Sequence, residues 1–315
     1  MAVRDNGVRN GLARRWSAGP KRPPWERFAL YAANLLAILF ILFPVLAVVQ
    51  GSLMSEKTLH ADIHAVVPPA VTLDNFLLIL TRGEHRENAD IGITATYMPD
   101  NIRAFYSAFA NSTIIAVSVT VLTLGFGTLS AYTIARLRYR WTLWFLQANL
   151  LARFVPIIVL MIPLFVLGRT TGMLNSLTGV IIAETGFLLP YAILILAPYF
   201  QSLPPELEDA ARVDGCTRFG AFLRIVLPLS TPGLAACGVI VFIVSWHELL
   251  IPLVLNSKLE FMTLPMVLSS LISDTNILFN VMMALALLAL LPTVVLVLLL
   301  QKFVVQGLAA GAVKG

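Results

Sequence analysis

Two groups of residues in this chain have types and spacings suited to binding chemistry. The first is Glu206, Glu208, Asp209, Arg212 and Asp214, crowded together with Ala210, Ala211 and Gly215 between apolar stretches. Charges so dense on one short segment suit charge-assisted docking of another surface. The second is Arg153, Glu184 and Glu248, single charges inside otherwise apolar runs, the last preceded by Trp246 and His247. Charged side chains in such surroundings are costly and mark sites by default. We assign no catalytic residue and no metal ligand. Cys216 and Cys237 lack His or Asp company, and His60 and His64 lack a third ligand, with His85 further along the same stretch.

The elements that must hold these residues are membrane spans. Only 12% of residues are charged and 58% are hydrophobic, with mean hydropathy +0.84, which excludes an ordinary soluble domain. Residues 28–55, 104–135 and 275–301 carry no charge at all, and a span needs roughly 20 apolar residues. The pattern predicts an all-α membrane protein with six spans, at 28–52, 108–134, 141–167, 178–200, 232–255 and 278–301. A basic tail (1–27) precedes the permease domain (28–305), and a short tail (306–315) follows it. The first apolar run is too long for the h-region of a cleaved signal, and no short apolar run follows Arg14-Arg15 as a twin-arginine signal requires.

Charge decides the orientation. Fifteen Lys and Arg fall on one side: Arg4, Arg9, Arg14, Arg15, Lys21, Arg22, Arg27, Arg136, Arg138, Arg140, Arg212, Arg218, Arg224, Lys302 and Lys314. Six fall on the other: Lys57, Arg82, Arg86, Arg103, Arg169 and Lys258. The positive-inside bias puts both termini and the 203–229 loop in the cytoplasm, and the 53–107 loop outside. The net positive charge therefore reports membrane sidedness, not nucleic-acid binding.

The cytoplasmic loop reads as helix, turn, helix. Pro204 and Pro205 suit a first helical turn, and Glu206, Glu208 and Asp209 favour its positive end. Gly215 suits the left-handed position after it, and Thr217 caps a second helix running through Phe222, Ile225 and Leu227 to Pro228. Leu207, Ala210, Ala211 and Asp214 recur at helical spacing and form a compact face for a partner groove, or for the inner leaflet. Elsewhere, Thr72 or Asp74 caps a short helix, and residues 82–100 form a solvated excursion. Gly125, Gly127, Ser130 and Ala131 allow close approach of another helix, and the prolines of spans three to five fit irregular interior helices.

Residues 209–215, Asp-Ala-Ala-Arg-Val-Asp-Gly, followed nine residues later by Ile225-Val226-Leu227-Pro228, resemble the EAA motif of binding-protein-dependent ABC importer permeases. The usual first Glu of that motif is Asp209 here. Asn111-Ser112, the 130–136 stretch, the 172–176 stretch, the 245–249 stretch, the 263–265 stretch and the 301–315 tail are similar to the maltose-type carbohydrate branch, which commonly has Asn where this chain has His247.

The resemblance implies a membrane subunit of an ATP-driven carbohydrate importer in the bacterial inner membrane. It also implies a second homologous permease, two ATPase subunits holding ATP and Mg, and an external solute-binding protein. The loop between spans four and five would be the coupling helix, with Glu208 and Asp209 supplying charged contacts, Ala210 and Ala211 close packing, and Gly215 the lever angle. No G-x-x-x-x-G-K-[ST] phosphate loop occurs in the chain, which fits a separate ATPase. Arg153, Glu184, Trp246, His247 and Glu248 are candidates for the substrate path. The competing structural reading pairs Arg153 with one of the glutamates and puts Trp246 in an interfacial belt. Alternative cargoes are an anionic sugar derivative or a non-sugar solute, and a self-sufficient secondary transporter is the remaining rival.

Overall fold

A computed structural model describes residues 24–55, 71–83, 100–137, 140–272 and 279–312. Expectations for His60, His64, His85, the basic tail before residue 24 and the 84–99 stretch fall outside these. Every regular element among the described residues is a helix. The chain divides at Gln50 into two units. The first carries α1 (Pro24–Ser52), an apolar helix with Pro44 inside it, beginning four residues before the predicted start of the span.

From Gly51 onward the second unit holds the remaining helices. Besides single turns at Asp100–Arg103 and Leu259–Phe261, these are α2 (Asp74–Leu80), α3 (Phe105–Arg136), α4 (Arg140–Ala152), α5 (Ile157–Thr171), α6 (Leu177–Ser202), α7 (Glu206–Val213) and α8 (Arg218–Leu229). After them come α9 (Thr231–Trp246), α10 (Leu250–Leu255), α11 (Leu264–Ser270) and α12 (Phe279–Ala312). The N-cap of α2 is Leu73, with no side-chain cap, so neither Thr72 nor Asp74 is the cap residue; Thr72 Oγ1 instead accepts from the Asp74 amide at 3.1 Å, one position outside the cap. The last helix runs on to Ala312, into the stretch assigned to the C-terminal tail.

Among the described residues four helices are long and apolar enough to cross a membrane: α1, α3, α6 and α12. Two further pairs qualify only as bent units, α4 with α5 at 97° and α8 with α9 at 73°. The third expected span is therefore not one straight helix. Pro156 has no N–H and disfavours a helical residue before it, so the ladder stops after Ala152 and restarts at Ile157. The fifth is likewise shorter than its expected 232–255. Helix α9 ends at Trp246, and α10 starts afresh, because the ring of Pro252 would clash with the carbonyl four residues earlier.

The core lies where α3, α6 and α9 meet. At Gly127 an added Cβ would come within 2.9 Å of the Ala192 Cβ, so α3 and α6 touch there in the way small residues allow. Gly125 has nothing within 4 Å of such a Cβ and plays no part in that contact. Cys237 is fully buried in the same core and Cys216 is partly exposed, and both are free thiols.

Asparagines pin the segments that link the helices. Asn111 Nδ2 donates to the carbonyls of Glu260 and Met262, both at 2.9 Å, and neighbouring Ser112 accepts from the Leu264 amide at 2.9 Å. Asn175, at positive φ (53°), accepts from the amides of Ser257 (2.8 Å) and Lys258 (3.1 Å). Asn256 accepts from the Ser176 amide at 3.1 Å and donates to the Phe261 carbonyl at 3.2 Å. Segments that stand far apart in the sequence resemblance are thus direct partners in space.

Candidate functional site

The α7–α8 hairpin is held by its own chain chemistry. Glu206, Glu208 and Asp209 occupy the first turn of α7, where acidic side chains favour the helix dipole. At its other end Gly215 takes φ 91°, its amide donates to the Arg212 carbonyl at 3.1 Å, and the Cys216 amide donates to Ala211 at 3.0 Å. This pair of bonds is the Schellman closure, which satisfies carbonyls left open at a helix end and favours glycine at that position. Thr217 Oγ1 then accepts from the Gly220 amide at 3.0 Å and starts α8. Within α8, residues 222–226 take π-type hydrogen bonding, and the Leu227 amide reaches back to Phe222. That wider turn carries the helix past Pro228 to Leu229.

A clamp joins the hairpin to the end of α3. The Glu208 carboxylate accepts from Arg136 Nε at 2.5 Å with one oxygen and from the Tyr132 hydroxyl at 2.7 Å with the other. Arg136 also donates to the Leu203 carbonyl at 3.2 Å, so its guanidinium spans the junction of α6 and α7. Both side chains of the ion pair are largely buried, 15% and 13% exposed. The Tyr132 ring packs against Phe222 of α8 at 4.6 Å between centroids, which places an aromatic wall behind the ion pair.

The clamp corrects the grouping expected for α7. Glu208 and Asp209 are about 100° apart on a helix and do not act together. Glu208 and the buried Ala211 face the membrane domain. Asp209, with its side chain 70% exposed, faces out together with Ala210 and Val213. Arg212 makes a loose 3.4 Å contact with Asp209, an exposed pair of small energetic weight. Asp214 closes the helix as its C-terminal cap residue. Sequence reasoning missed Tyr132 and Arg136 as partners of this helix, because nothing in their local spacing points across some 70 residues of chain to Glu208.

The intramembrane charges do not form one site. Glu184, 1% exposed, accepts a hydrogen bond from Ser245 Oγ, joining α6 to α9, and its other oxygen meets no polar partner among the described residues. Arg153 sits at the α4–α5 bend with its guanidinium 4.1 Å from the Tyr191 ring centroid, a cation–π contact in place of the ion pair considered above. Glu248 accepts from the amides of Leu250 (2.8 Å) and Ile251 (3.3 Å), so its carboxylate opens α10. Trp246 is 2% exposed, stacked on Phe242, and its indole N–H donates to the Ala289 carbonyl at 2.9 Å. It belongs to the core and not to an interfacial belt. His247, exposed, lies 3.3 Å from Thr293. No cluster of three His, Cys, Asp or Glu able to hold a metal occurs among the described residues.

Comparison with known proteins agrees with this architecture. The chain is 31% identical to an arabinooligosaccharides transport system permease protein of Bacillus subtilis, over 92% of this chain and 96% of that one. It is 32% identical to a trehalose transport system permease protein of Mycobacterium tuberculosis, over 92% and 99%. A solved bacterial ABC transporter involved in the import of the acidic polysaccharide alginate shares the fold, with TM-score 0.71 and 22% identity over 90% of this chain and 99% of that one. Residues 123–310, which contain the α7–α8 hairpin and the Glu208 clamp, match the family described as the binding-protein-dependent transport system inner membrane component, and the chain belongs to that family.

Proposed function

We propose that this chain is the membrane subunit of an ATP-driven importer that moves a carbohydrate from an external solute-binding protein into the cytoplasm. The observation that carries the reading is the Glu208 clamp, which fixes a short helix to the membrane domain while leaving its Asp209–Val213 face unspent. A helix so held acts as a lever: a docked partner that changes shape moves α3 and α6 with it. Coupling of this kind is a difference in affinity of the partner for two arrangements of the bundle. The sugar permeases among the relatives support carbohydrate as the cargo class.

Two ATPase subunits, each with its own ATP and Mg, would supply the energy, and this chain would hydrolyse nothing. A second homologous permease would complete the path. Both termini and the α7–α8 hairpin would be cytoplasmic, as the distribution of Lys and Arg favours, with six spans if each bent pair crosses once. Arg153, His247 and Glu248 stand at helix breaks and are the better candidates for substrate contact. Glu184 and Trp246, both buried, support the helices behind them.

The test is uptake by the assembled complex in proteoliposomes. Asp209→Lys and Gly215→Pro are expected to abolish ATP-driven sugar uptake while membrane insertion persists. Uptake driven by an ion gradient without ATP, or normal uptake by both variants, would overturn the reading.

A further inference from the structure

We propose that the cavity beside α7 receives a carboxylate side chain from the ATPase subunit, with Arg218 as its counter-charge. The proposal rests on the reading of α7 as the docking helix and names the chemistry of the surface that meets it. The cavity, about 410 Å3, lies between the end of α3 and the α7–α8 hairpin. Tyr132, Phe219 and Phe222 give it apolar walls, and Arg136, Arg212 and Arg218 reach it with Glu208 and Asp209.

These charges do not balance. Both oxygens of Glu208 are engaged by Arg136 and Tyr132, and the charge of Arg136 is matched by Glu208 while it also donates to the Leu203 carbonyl. Arg212 leans on the exposed Asp209. Arg218 makes no ion pair among the described residues, which leaves one unneutralised guanidinium at an aromatic recess. A planar guanidinium matches a carboxylate bidentately, and a concave apolar site with a few converging polar groups is the usual form of a recognition pocket.

The surroundings favour a protein occupant. Val213 is 88% exposed and Phe219 61% exposed, the most exposed large apolar side chains of the hairpin. Exposed apolar side chains set among charged ones, as here beside Asp209, Arg212 and Arg218, suit a protein surface as the occupant. An Asp or Glu with apolar neighbours would place its carboxylate on Arg218 and its methylenes against Phe219, while the flanking residues cover Val213. A soluble anion would satisfy Arg218 alone and leave the apolar rim uncovered.

The experiment uses the assembled importer. Phe219 is replaced by the photocrosslinker p-benzoylphenylalanine, and adducts are mapped by mass spectrometry. The expected adduct is an ATPase peptide containing Asp or Glu. In parallel, Arg218→Glu is expected to weaken ATPase binding to the membrane subunits by about thirtyfold or more, as loss of a buried interfacial charge pair does, with Arg218→Lys much milder. Replacing the crosslinked acidic residue by Lys should restore binding with Arg218→Glu. Adducts confined to this chain, to the second permease or to lipid would overturn the proposal, as would unchanged binding with Arg218→Glu. If Asp209→Lys releases the ATPase and Arg218→Glu does not, docking on α7 stands and the pocket assignment falls. If neither does, both fall.

Discussion

Glu208 and Glu184 are both carboxylates that bridge two helices, yet their surroundings are opposite. Glu208 has a cation and a phenol on its two oxygens and sits at the edge of the membrane domain. Glu184 has one hydroxyl, Ser245, and is 1% exposed, with no polar partner on its other oxygen among the described residues. The first arrangement keeps a full charge useful, because a charged partner offsets desolvation and holds a direction. The second needs only a hydrogen bond and volume. The α7–α8 hairpin is therefore held by charge, and the membrane core by fit.

That contrast can be broken most sharply at Glu208. Glu208→Lys places like charges beside each other, and removing one partner of a largely buried pair costs about 3–5 kcal/mol. ATP-driven uptake is expected to fall to background with the chain still inserted. The exchange Glu208→Arg with Arg136→Glu should recover part of it, and a double-mutant cycle on uptake measures the coupling. No recovery, together with wild-type uptake by the single Glu208→Lys variant, would remove the clamp from the mechanism.

The next largest effect belongs to Glu184. Glu184→Ala opens a cavity and orphans Ser245, so thermal unfolding in detergent should report a loss of about 2–4 kcal/mol. Glu184→Gln keeps the shape and a bond to Ser245 and is expected to transport within about twofold of wild type, as a replaced hydrogen bond of modest net energy allows. A stable but inactive Glu184→Gln would show that the charge itself matters and would erase the contrast with Glu208.

Fit is tested at Gly127. Gly127→Val forces its side chain into Ala192 and should cost about 1–3 kcal/mol by overpacking, with Gly125→Val much nearer neutral. The smallest effect is expected at Thr217→Ala, where loss of the α8 cap costs about 1 kcal/mol. Its signature should be local, faster amide exchange in residues 217–221 with the membrane core unchanged. Equal destabilisation of both regions would mean that the hairpin and the core are not separately held.

Much of the architecture was legible because membranes and helix ends impose local rules. Uncharged runs marked α1, α3 and α12, Gly215 and Thr217 marked the turn, and the polar island marked the hairpin. The breaks at Pro156 and after Trp246 were not read, although both prolines were noted, because a proline inside an apolar run is compatible with either a kink or a stop. Pro163, Pro190 and Pro198 remain inside continuous helices. Neighbouring backbone and side chains decide between the outcomes, and those neighbours lie far away in sequence.

The sequence by itself determined the membrane class, the uneven distribution of Lys and Arg between the loops, and a capped hairpin between apolar helices. Each of these depends on composition or on residues within a few positions of one another. Only the tertiary structure decided that Glu208 turns inward to Arg136 and Tyr132 while Asp209 turns out, that Trp246 is core, and that Glu184 meets Ser245. Those are pairings between distant helices, fixed by how the bundle packs, and no local periodicity encodes which face of a helix finds which partner.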